Sequence, residues 1–297
     1  MNPQYPIYIV SKGRWDPQLR KTSRALHRLG LPHYIVVESQ EYDNYSAVID
    51  DTATLLVLDP AFQRDYDTCD DLKDSKSKGP GPARNFVWEH SIDQGDAWHW
   101  VMDDNIRTFY RMNRNYRVPV SDGAIFCAME NFVERYENIA MAGPEYKMFA
   151  ANKQKWPPFR TNTRIYSCNL IRNDVPYRWR GRYNEDTDLS LRMLKDQWCT
   201  VLFYAFLQDK IATQLVKGGN TADFYEKEGT YPKSQMQISL HPDVSKLVWR
   251  YNRWHHDVDY RGFNRKLRRR KDLEIVEGVD NFGMVHQRKI DEEWVLD

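Results

Sequence analysis

The sequence is typical of an α/β protein with a central, mainly parallel sheet flanked by helices. Over about the first hundred residues, apolar runs of strand length alternate with longer stretches of helix length, and the first helical stretch stops at Gly30. This alternation favours a parallel sheet with helices on both faces, and a glycine after the last apolar position is a common helix end. Such sheets bind ligands at the carboxyl ends of their strands, so functional residues are expected there.

The individual elements follow from this pattern. In the first part of the chain, strands are predicted at 7–11, 34–38, 55–59 and 98–102, and helices at 16–29 and 83–92. The polar stretch 64–82 between them is rich in charge, Gly and Pro, which predicts a mobile loop over or beside the site.

The second half is more mixed and has no clean domain boundary. Helices are predicted at 123–138 and 186–195, an edge or antiparallel strand at 164–172, a strand at 200–206, and a long helical stretch or helix pair at 243–271. The last of these is crowded with Arg and Trp.

The composition excludes several classes of protein. The chain has 297 residues, of which 41% are hydrophobic and 13% aromatic, so it can fill a core and is not a disordered chain. Lys and Arg number 43 and Asp and Glu 42, a net charge of +1. Any polyanion would therefore bind a local basic patch, because the chain is not basic throughout.

The cysteines and the apolar runs indicate the compartment. The four cysteines stand far apart without a C-x-x-C pair, which argues against a zinc ribbon or a disulfide framework and favours a reducing cytoplasm. The chain enters a strand-like run at once, and its longest apolar run, 198–207, is about half of a membrane span. We therefore expect no signal peptide, no membrane contact and a soluble cytoplasmic protein.

The most informative segment is WHWVMDDN, residues 98–105, an apolar strand that ends in two acids and an amide. Asp103, Asp104 and Asn105 would place hard oxygen ligands at the sheet edge. Mg²⁺ and Mn²⁺ take such ligands and also bridge a diphosphate. An Asp-Asp-Asn turn or a helix N-cap is the alternative interpretation.

Two further segments strengthen the functional interpretation. GPARN, residues 81–85, opens a helix, whose free N–H groups suit an anion, and Arg84 could add a bidentate contact. In RGRYNEDTDLSLR, residues 180–192, acids crowd a loop-to-helix junction, where one carboxylate could serve as a general base. A solvated Arg on a capped helix and simple compensation of the helix dipole are the respective alternatives.

Taken together, ARN (83–85), WVMDDN (100–105) and NED (184–186) resemble the glycosyltransferases of the GT-A fold, especially the family-2-like inverting group. The resemblance covers roughly residues 5–208. More narrowly, YIVSKGR (8–14), YIVVE (34–38) and the WHWVMDDN strand look like the phage glycosyltransferases associated with TET/JBP-type oxygenases. That resemblance implies a Rossmann-like transferase domain over 1–240, with 241–297 as a basic, aromatic helical extension packed on it.

The resemblance also implies roles for individual residues. Asp186 would be the base and Glu185 its substitute, and Asp104 and Asn105 would lie at a Mn²⁺ or Mg²⁺ ion. The group commonly has an Asp where this chain has Asn105, which weakens the expected metal affinity. The donor, a nucleotide sugar and most simply a UDP-sugar, would be held by Ser11, Lys12, Arg14, Glu38, Arg84, Asn85 and Asp103.

A C-terminal His often completes the metal or phosphate site in this group. His241, His255 and His256 are the candidates, and we place His241 with Asp104 and Asn105. In the implied reaction, the metal and Arg84 offset charge on the departing diphosphate, while Asp186 takes the proton of the acceptor hydroxyl.

Two local patches combine basic and aromatic residues, at 107–117 and 249–271. This combination suits phosphate contacts and base stacking. We assign acceptor contacts to Arg107, Arg111, Arg182, Arg253, Trp254, Arg265 and Arg269. The favoured acceptor is 5-hydroxymethylcytosine in phage DNA. A glycan, lipid or protein acceptor is the alternative, and a non-catalytic nucleic-acid-binding module on a degenerate fold is the second alternative.

Overall fold

The computed structural model describes residues 1–70, 77–211 and 230–272, and the backbone of 287–290 and 293–296. The strands are β1 (Ile7–Val10), β2 (His33–Val37), β3 (Ala53–Val57), β4 (Trp98–Asp103), β5 (Ile106–Asn113), β6 (Tyr116–Pro119), β7 (Ile139–Tyr146), β8 (Phe159–Thr161), β9 (Cys168–Arg172), β10 (Cys199–Lys210), β11 (Ser245–Arg250), β12 (Arg253–Val258), β13 (Gln287–Ile290) and β14 (Glu293–Leu296). The helices are α1 (Lys21–Arg28), α2 (Tyr42–Ser46), α3 (Pro60–Arg64), α4 (Gly81–Asp93), α5 (Ala124–Glu134), α6 (Glu185–Lys195) and α7 (Tyr231–Leu240).

The centre of the molecule is a mixed ten-stranded sheet with the order β3-β2-β1-β4-β9-β7-β10-β5-β6, in which β8 also pairs with β10. The pairs among β1 to β4 are parallel, as is β7 with β10. β9 runs antiparallel between β4 and β7. The parallel strands β1, β2 and β4 therefore end at one edge, where their carboxyl-terminal residues meet.

The central strands of this sheet are buried on both faces, as β1 shows. Ile7 and Ile9 belong to one apolar core, together with residues of α1 and α5, whereas Tyr8 and Val10 belong to a second core with residues of α4 and α6. Successive side chains of a strand point to opposite faces, so a fully apolar strand requires helices on both. The predicted α/β sheet flanked by helices is confirmed.

The first helix is shorter than predicted. The helical pattern over 16–29 yields α1 only from Lys21 onward. The Asp16 carboxylate accepts a hydrogen bond from the Gln18 N–H at 2.7 Å, and the Leu19 N–H donates to the Asp16 carbonyl at 2.8 Å. A short polar side chain that bonds to nearby backbone N–H groups competes with the helix, which explains the turn before α1.

The predicted helix at 243–271 is wrong, because these residues form a hairpin followed by an irregular segment. β11 and β12 form an antiparallel hairpin in which Arg250 faces Arg253 across a two-residue turn. Tyr251 and Asn252, the turn residues, have φ angles of 52° and 57°, as a type I′ turn requires. The three- and four-residue spacing of cations suggested a helix, but the two-residue turn and the Trp249–Trp254 cross-strand pair fix a hairpin.

After the hairpin, residues 259–272 run along the sheet domain in irregular form. Asn138 Nδ2 donates to the Lys266 carbonyl at 3.0 Å, and Asn162 Nδ2 donates to the Arg265 carbonyl at 2.8 Å. Residues 273–286 of the predicted extension and 71–76 of the predicted loop lie outside the described residues. The division at residue 240 stays a prediction. Within the described residues no helix has the length and apolarity to cross a bilayer.

Candidate active site

A cleft of about 630 Å³ opens at the carboxyl ends of β1, β2 and β4. Ser11 follows β1, Glu38 follows β2, and Asp103 to Asn105 end β4, and all of these line the cleft. The N-terminal turns of α4 and α6 close the opposite wall through Arg84 and Asp186. The strand-end rule thus located the cleft from the sequence.

The two acidic segments converge on one arginine. Arg84, in the first turn of α4, donates to Asp103 Oδ1 at 2.7 Å and to Asp186 Oδ1 at 2.6 Å, and lies 3.2 Å from Glu185 Oε1. Its guanidinium also stacks over the Trp179 ring, 4.6 Å from the centroid. The side chain is buried, so this cation fixes the acids of β4 and α6 on the two sides of the cleft.

The start of α4 depends on a glycine. A Cβ on Gly81 would lie 1.8 Å from the Tyr66 hydroxyl oxygen. That hydroxyl donates to the Gly181 carbonyl at 2.8 Å, which ties the segment before α6 to the segment before α4. The absence of a side chain at Gly81 lets the two helix N-termini approach each other.

Lys210, at the end of β10, is the site residue that the sequence analysis missed. Its ammonium donates to Asp103 Oδ2 at 2.6 Å and to Ser167 Oγ at 2.7 Å, and it lines the cleft. The predicted strand stopped at residue 206, but β10 continues through Gln208 and Asp209. The strand-end rule, applied to the full strand, would have found Lys210.

The electrostatic environment has opposite effects on the pKa values of Asp186 and Asp103. Burial, helped by the carboxylates of Glu185 and Asp103, raises the pKa of Asp186 to about 7 despite its contact with Arg84. Burial acts on Asp103 in the same direction, but Lys210 and Arg84 outweigh it and hold the pKa of Asp103 well below its usual value. One carboxylate is therefore permanently charged, and the other can exchange a proton near neutral pH.

The far end of the cleft holds a second set of polar residues. Asp104 is bound by Arg14 and by Ser11, whose hydroxyl lies 2.9 Å from Asp104 Oδ2. Lys12 Nζ and Glu38 Oε1 form an ion pair of 2.9 Å. These residues line the cleft beside β1 and β2, so the predicted donor-binding residues on these strands lie together.

One predicted donor-binding residue and one predicted metal-binding residue lie elsewhere. The Asn85 side chain accepts from the Trp179 N–H at 2.8 Å and donates to the Trp179 carbonyl at 2.9 Å. Both the oxygen and the nitrogen of its amide are therefore bound to the backbone, and Asn85 does not line the cleft. His241 is buried with Nε2 2.9 Å from Asp188 Oδ1 and does not line the cleft. Of the three candidate histidines, the structure brings His256 to the cleft wall.

Of the predicted acceptor residues, Arg182 alone lines the cleft, and the assignment of Arg265 and Arg269 is wrong because their segment packs at the amino-terminal ends of β7 and β10, the sheet edge opposite the cleft. Arg182 donates to the Ser77 carbonyl at 2.8 Å and to the Tyr183 hydroxyl at 2.7 Å. The others are exposed and do not line the cleft: Arg107, Arg111, Arg253, Trp254, Arg265 and Arg269. Arg253 and Trp254 belong to the hairpin that carries His256, whereas Arg265 and Arg269 follow it on the irregular segment.

The residues present fit a divalent metal ion poorly. Each carboxylate oxygen of Asp103 and Asp104 already accepts from a protein donor, namely Arg84, Lys210, Arg14 or Ser11. Asn105 Oδ1 is a buried oxygen without a hydrogen-bond partner, but one amide oxygen is not a site. The described parts of the chain contain no group of three His, Cys, Asp or Glu side chains arranged for a metal.

A mixed, mostly parallel sheet flanked by helices, with this acidic cleft at its strand ends, is the architecture of a GT-A-like fold. The family of TET-associated glycosyltransferases (TAGT) matches residues 5–219, most of the chain. The chain belongs to this family and is a glycosyltransferase, which favours an enzyme over a non-catalytic binding module. A comparison with curated proteins found no match.

Proposed function

We propose that this chain moves a sugar from a nucleotide-sugar donor to a hydroxyl group in one inverting displacement, and that the acceptor is 5-hydroxymethylcytosine in phage DNA. The observation that carries the proposal is the position of Asp186, a buried carboxylate with a raised pKa that shares Arg84 with Asp103 in the same cleft. Phage DNA as the acceptor places the reaction in the host cytoplasm.

For the donor, we assign the nucleotide to the end of the cleft beside β1 and β2. Glu38 offers carboxylate oxygens to base or ribose hydroxyls, and Lys12 offers a cation that is about half exposed at the cleft mouth. Ser11 and Arg14, next to Asp104, would lie near the ribose or the phosphates. A UDP-sugar is the simplest donor for such a site.

The reaction begins when Asp186 takes the proton of the acceptor hydroxyl. The oxygen forms a bond to the anomeric carbon as the bond from that carbon to the diphosphate oxygen breaks, and the electron pair leaves with the diphosphate. An alcohol is a poor nucleophile at neutral pH, so a positioned base is worth about 10²–10⁴-fold. Glu185, 3.2 Å from Arg84, is the next carboxylate in the same wall.

For the acceptor, support comes from the family and from the rim of the cleft. His256 on β12 and Lys233 on α7 line the cleft. Trp254 lies two residues from His256 and therefore on the same face of β12. Its ring packs edge-on against Trp249, with the ring centroids 5.1 Å apart, and both rings are exposed. Aromatic side chains beside cations stack bases, and a base in a duplex would have to be flipped out to reach the cleft.

The central test is mass spectrometry of an oligonucleotide that contains 5-hydroxymethylcytosine, incubated with a panel of nucleotide sugars. We expect a mass increase of one sugar with the wild type and a loss of at least 10²-fold in rate for Asp186→Asn. Asp196→Asn, at the carboxyl end of the same helix and bonded to Tyr177, is the matched control. If no donor produces a mass shift while nucleotide is still released from a sugar nucleotide, the DNA acceptor is wrong and the transferase remains.

The hairpin provides a separate test of the acceptor. Trp249→Ala together with Trp254→Ala should weaken transfer to the oligonucleotide by about ten-fold or more, since each stacked base contributes about 1–3 kcal/mol. Hydrolysis of the donor in the absence of DNA should stay unchanged, because neither ring lines the cleft. Unchanged transfer to DNA in the double variant would show that the hairpin does not bind the acceptor.

A further inference from the structure

The acidic pair at the end of β4 is neutralised by cations that belong to the protein. Asp103 lies between Arg84 at 2.7 Å and Lys210 at 2.6 Å. Asp104 is paired with Arg14, and its second oxygen accepts from Ser11 at 2.9 Å. A divalent ion would have to displace these buried donors before it could use the carboxylates as ligands.

Lys210 is the cation best placed to act on a ligand. Its side chain is 13% exposed, at the end of β10, and it forms part of the cleft wall. An ammonium group has three N–H donors. Two of these donors bind Asp103 and Ser167, which fixes the orientation of the group, and its remaining N–H lies near the ring of Tyr146, which also lines the cleft and whose centroid is 5.9 Å from the nitrogen.

We propose that Lys210 contacts the departing diphosphate and, with Arg84 and Arg14 behind the acidic pair, takes the part that a divalent cation plays in metal-dependent transferases. This inference rests on the proposed glycosyl transfer. As the bond between the anomeric carbon and the diphosphate oxygen breaks, that oxygen gains the electron pair. The Lys210 ammonium keeps its proton and stabilises the new charge through hydrogen bonding, while the acceptor proton goes to Asp186.

A fixed cation suits this task because it is in place before the reaction begins. Preorganised donors in a partly buried site contribute more than the same groups in water, and loss of one such donor typically costs about 10²–10³-fold in rate. Turnover should therefore need no divalent metal, and it should depend strongly on Lys210.

The first experiment uses the wild-type protein alone. Nucleotide release from a sugar nucleotide, and transfer to the modified oligonucleotide, are measured after removal of metal with EDTA and again with added Mn²⁺ or Mg²⁺. We expect the rates to agree within about two-fold. A loss of ten-fold or more in EDTA that Mn²⁺ restores would overturn the inference and leave the transferase intact. No turnover with any donor, with or without metal, would refute the proposed function and this inference together.

The second experiment replaces the cation. Lys210→Met should lower kcat by about 10²–10³-fold, and Lys210→Arg should retain more activity because it keeps the charge. Lys195→Met, which removes a surface lysine paired with Asp243 at 2.7 Å, is the control. Mn²⁺ binding by equilibrium dialysis supplies a readout other than activity: wild type should bind weakly, and Lys210→Met, with Asp103 partly released, should bind more tightly. A fully active Lys210→Met variant that unfolds like the wild type would contradict the inference.

Discussion

Arg84 shows how one residue defines the chemistry of the cleft. Its buried guanidinium contacts the carboxylates of Asp103 and Asp186 at 2.7 and 2.6 Å and stacks on Trp179. The two acids differ in their other contacts. Asp103 also accepts a hydrogen bond from the Lys210 ammonium, whereas Asp186 has no such bond to Lys210. Acids whose environments push their pKa values apart are the usual basis for different roles in one site.

The raised pKa of Asp186 predicts the pH dependence of transfer. The base must be ionised, and burial raises its pKa to about 7, so kcat/KM should rise with pH through about 7 and then level off. Asp186→Asn should remove both the activity and this pH dependence, whereas Glu185→Gln should keep an inflection that is shifted to lower pH, because one neighbouring negative charge is lost. The measurement is kcat/KM between pH 5 and 9, and a flat wild-type profile over that range would exclude Asp186 as the base.

Gly81 predicts a steric effect at the start of α4. Gly81→Ala would place a methyl group 1.8 Å from the Tyr66 hydroxyl oxygen, so the unfolding free energy should fall by about 1–3 kcal/mol. Transfer should fall as well, since Arg84 lies in the same helical turn. Gly262→Ala, where an added Cβ meets nothing within 4 Å, is the control in urea unfolding. If Tyr66→Ala does not relieve the cost of Gly81→Ala in the double variant, the clash is not its cause.

At the scale of elements, the ends of the strands could be predicted from the sequence. The β11–β12 hairpin and the contacts between α4 and distant segments could not. The polar residues after β1, β2 and β4 were located because the period and the boundary of a buried strand are local properties of the sequence. The role of Asn85 depends on Trp179, far along the chain, and no local pattern encodes that pair. The helix predicted at 243–271 was wrong because the prediction relied on the spacing of the cations and overlooked the turn at Tyr251 and Asn252.

The contacts of Asn85 predict a structural role at the junction of α4 with the segment before α6. Asn85→Ala removes two hydrogen bonds to the Trp179 backbone and should lower the unfolding free energy by about 1–3 kcal/mol, because buried peptide groups lose their partners. The KM for the donor should change little, although kcat should fall if Trp179 no longer supports Arg84. Glu89→Gln, on an exposed part of α4, is the control. An unchanged stability with a ten-fold higher donor KM would instead make Asn85 a ligand, as the sequence resemblance implied.

At the scale of the whole molecule, the C-terminal part completes the cleft. α7 contributes Lys233 and β12 contributes His256 to its wall, although both lie beyond the last predicted site residue of the sheet domain, Asp186. Asn184, at the start of α6, donates to the Lys233 carbonyl at 2.7 Å. The sequence indicated a basic and aromatic extension, but its position could not be predicted because it depends on contacts such as that of His241 with Asp188, 53 positions away along the chain.

The buried carboxylate of Asp188 forms a second long-range link, to His241 at the end of α7, and it predicts how stability changes in acid. It accepts from His241 Nε2 at 2.9 Å, from Arg192 Nε at 2.8 Å and from Arg180 Nη2 at 3.1 Å. Burial would raise its pKa, but these donors outweigh burial and lower the pKa of Asp188 to about 2. Because the folded pKa is depressed, the stabilisation is complete above the unfolded value of about 3.9 and is lost as pH falls toward 2.

Replacement of the Asp188 carboxylate should therefore lower the free energy of unfolding more at neutral pH than in acid. Asp188→Asn should lower the unfolding free energy by about 1–3 kcal/mol at pH 7, because it removes the charge-assisted hydrogen bonds to the partly exposed Arg180 and Arg192. The difference from wild type, measured by urea unfolding between pH 7 and pH 3, should shrink below about pH 4, where the carboxylate begins to take up a proton in the unfolded chain but not yet in the folded protein. Asp243→Asn, an exposed partner of Lys195, should cost less than about 1 kcal/mol. A cost of Asp188→Asn that does not change with pH would mean that packing, and not the charge of Asp188, holds α7 against α6. In that case His241 would hold α7, and with it Lys233 of the cleft wall, by packing alone and without attraction to the Asp188 carboxylate.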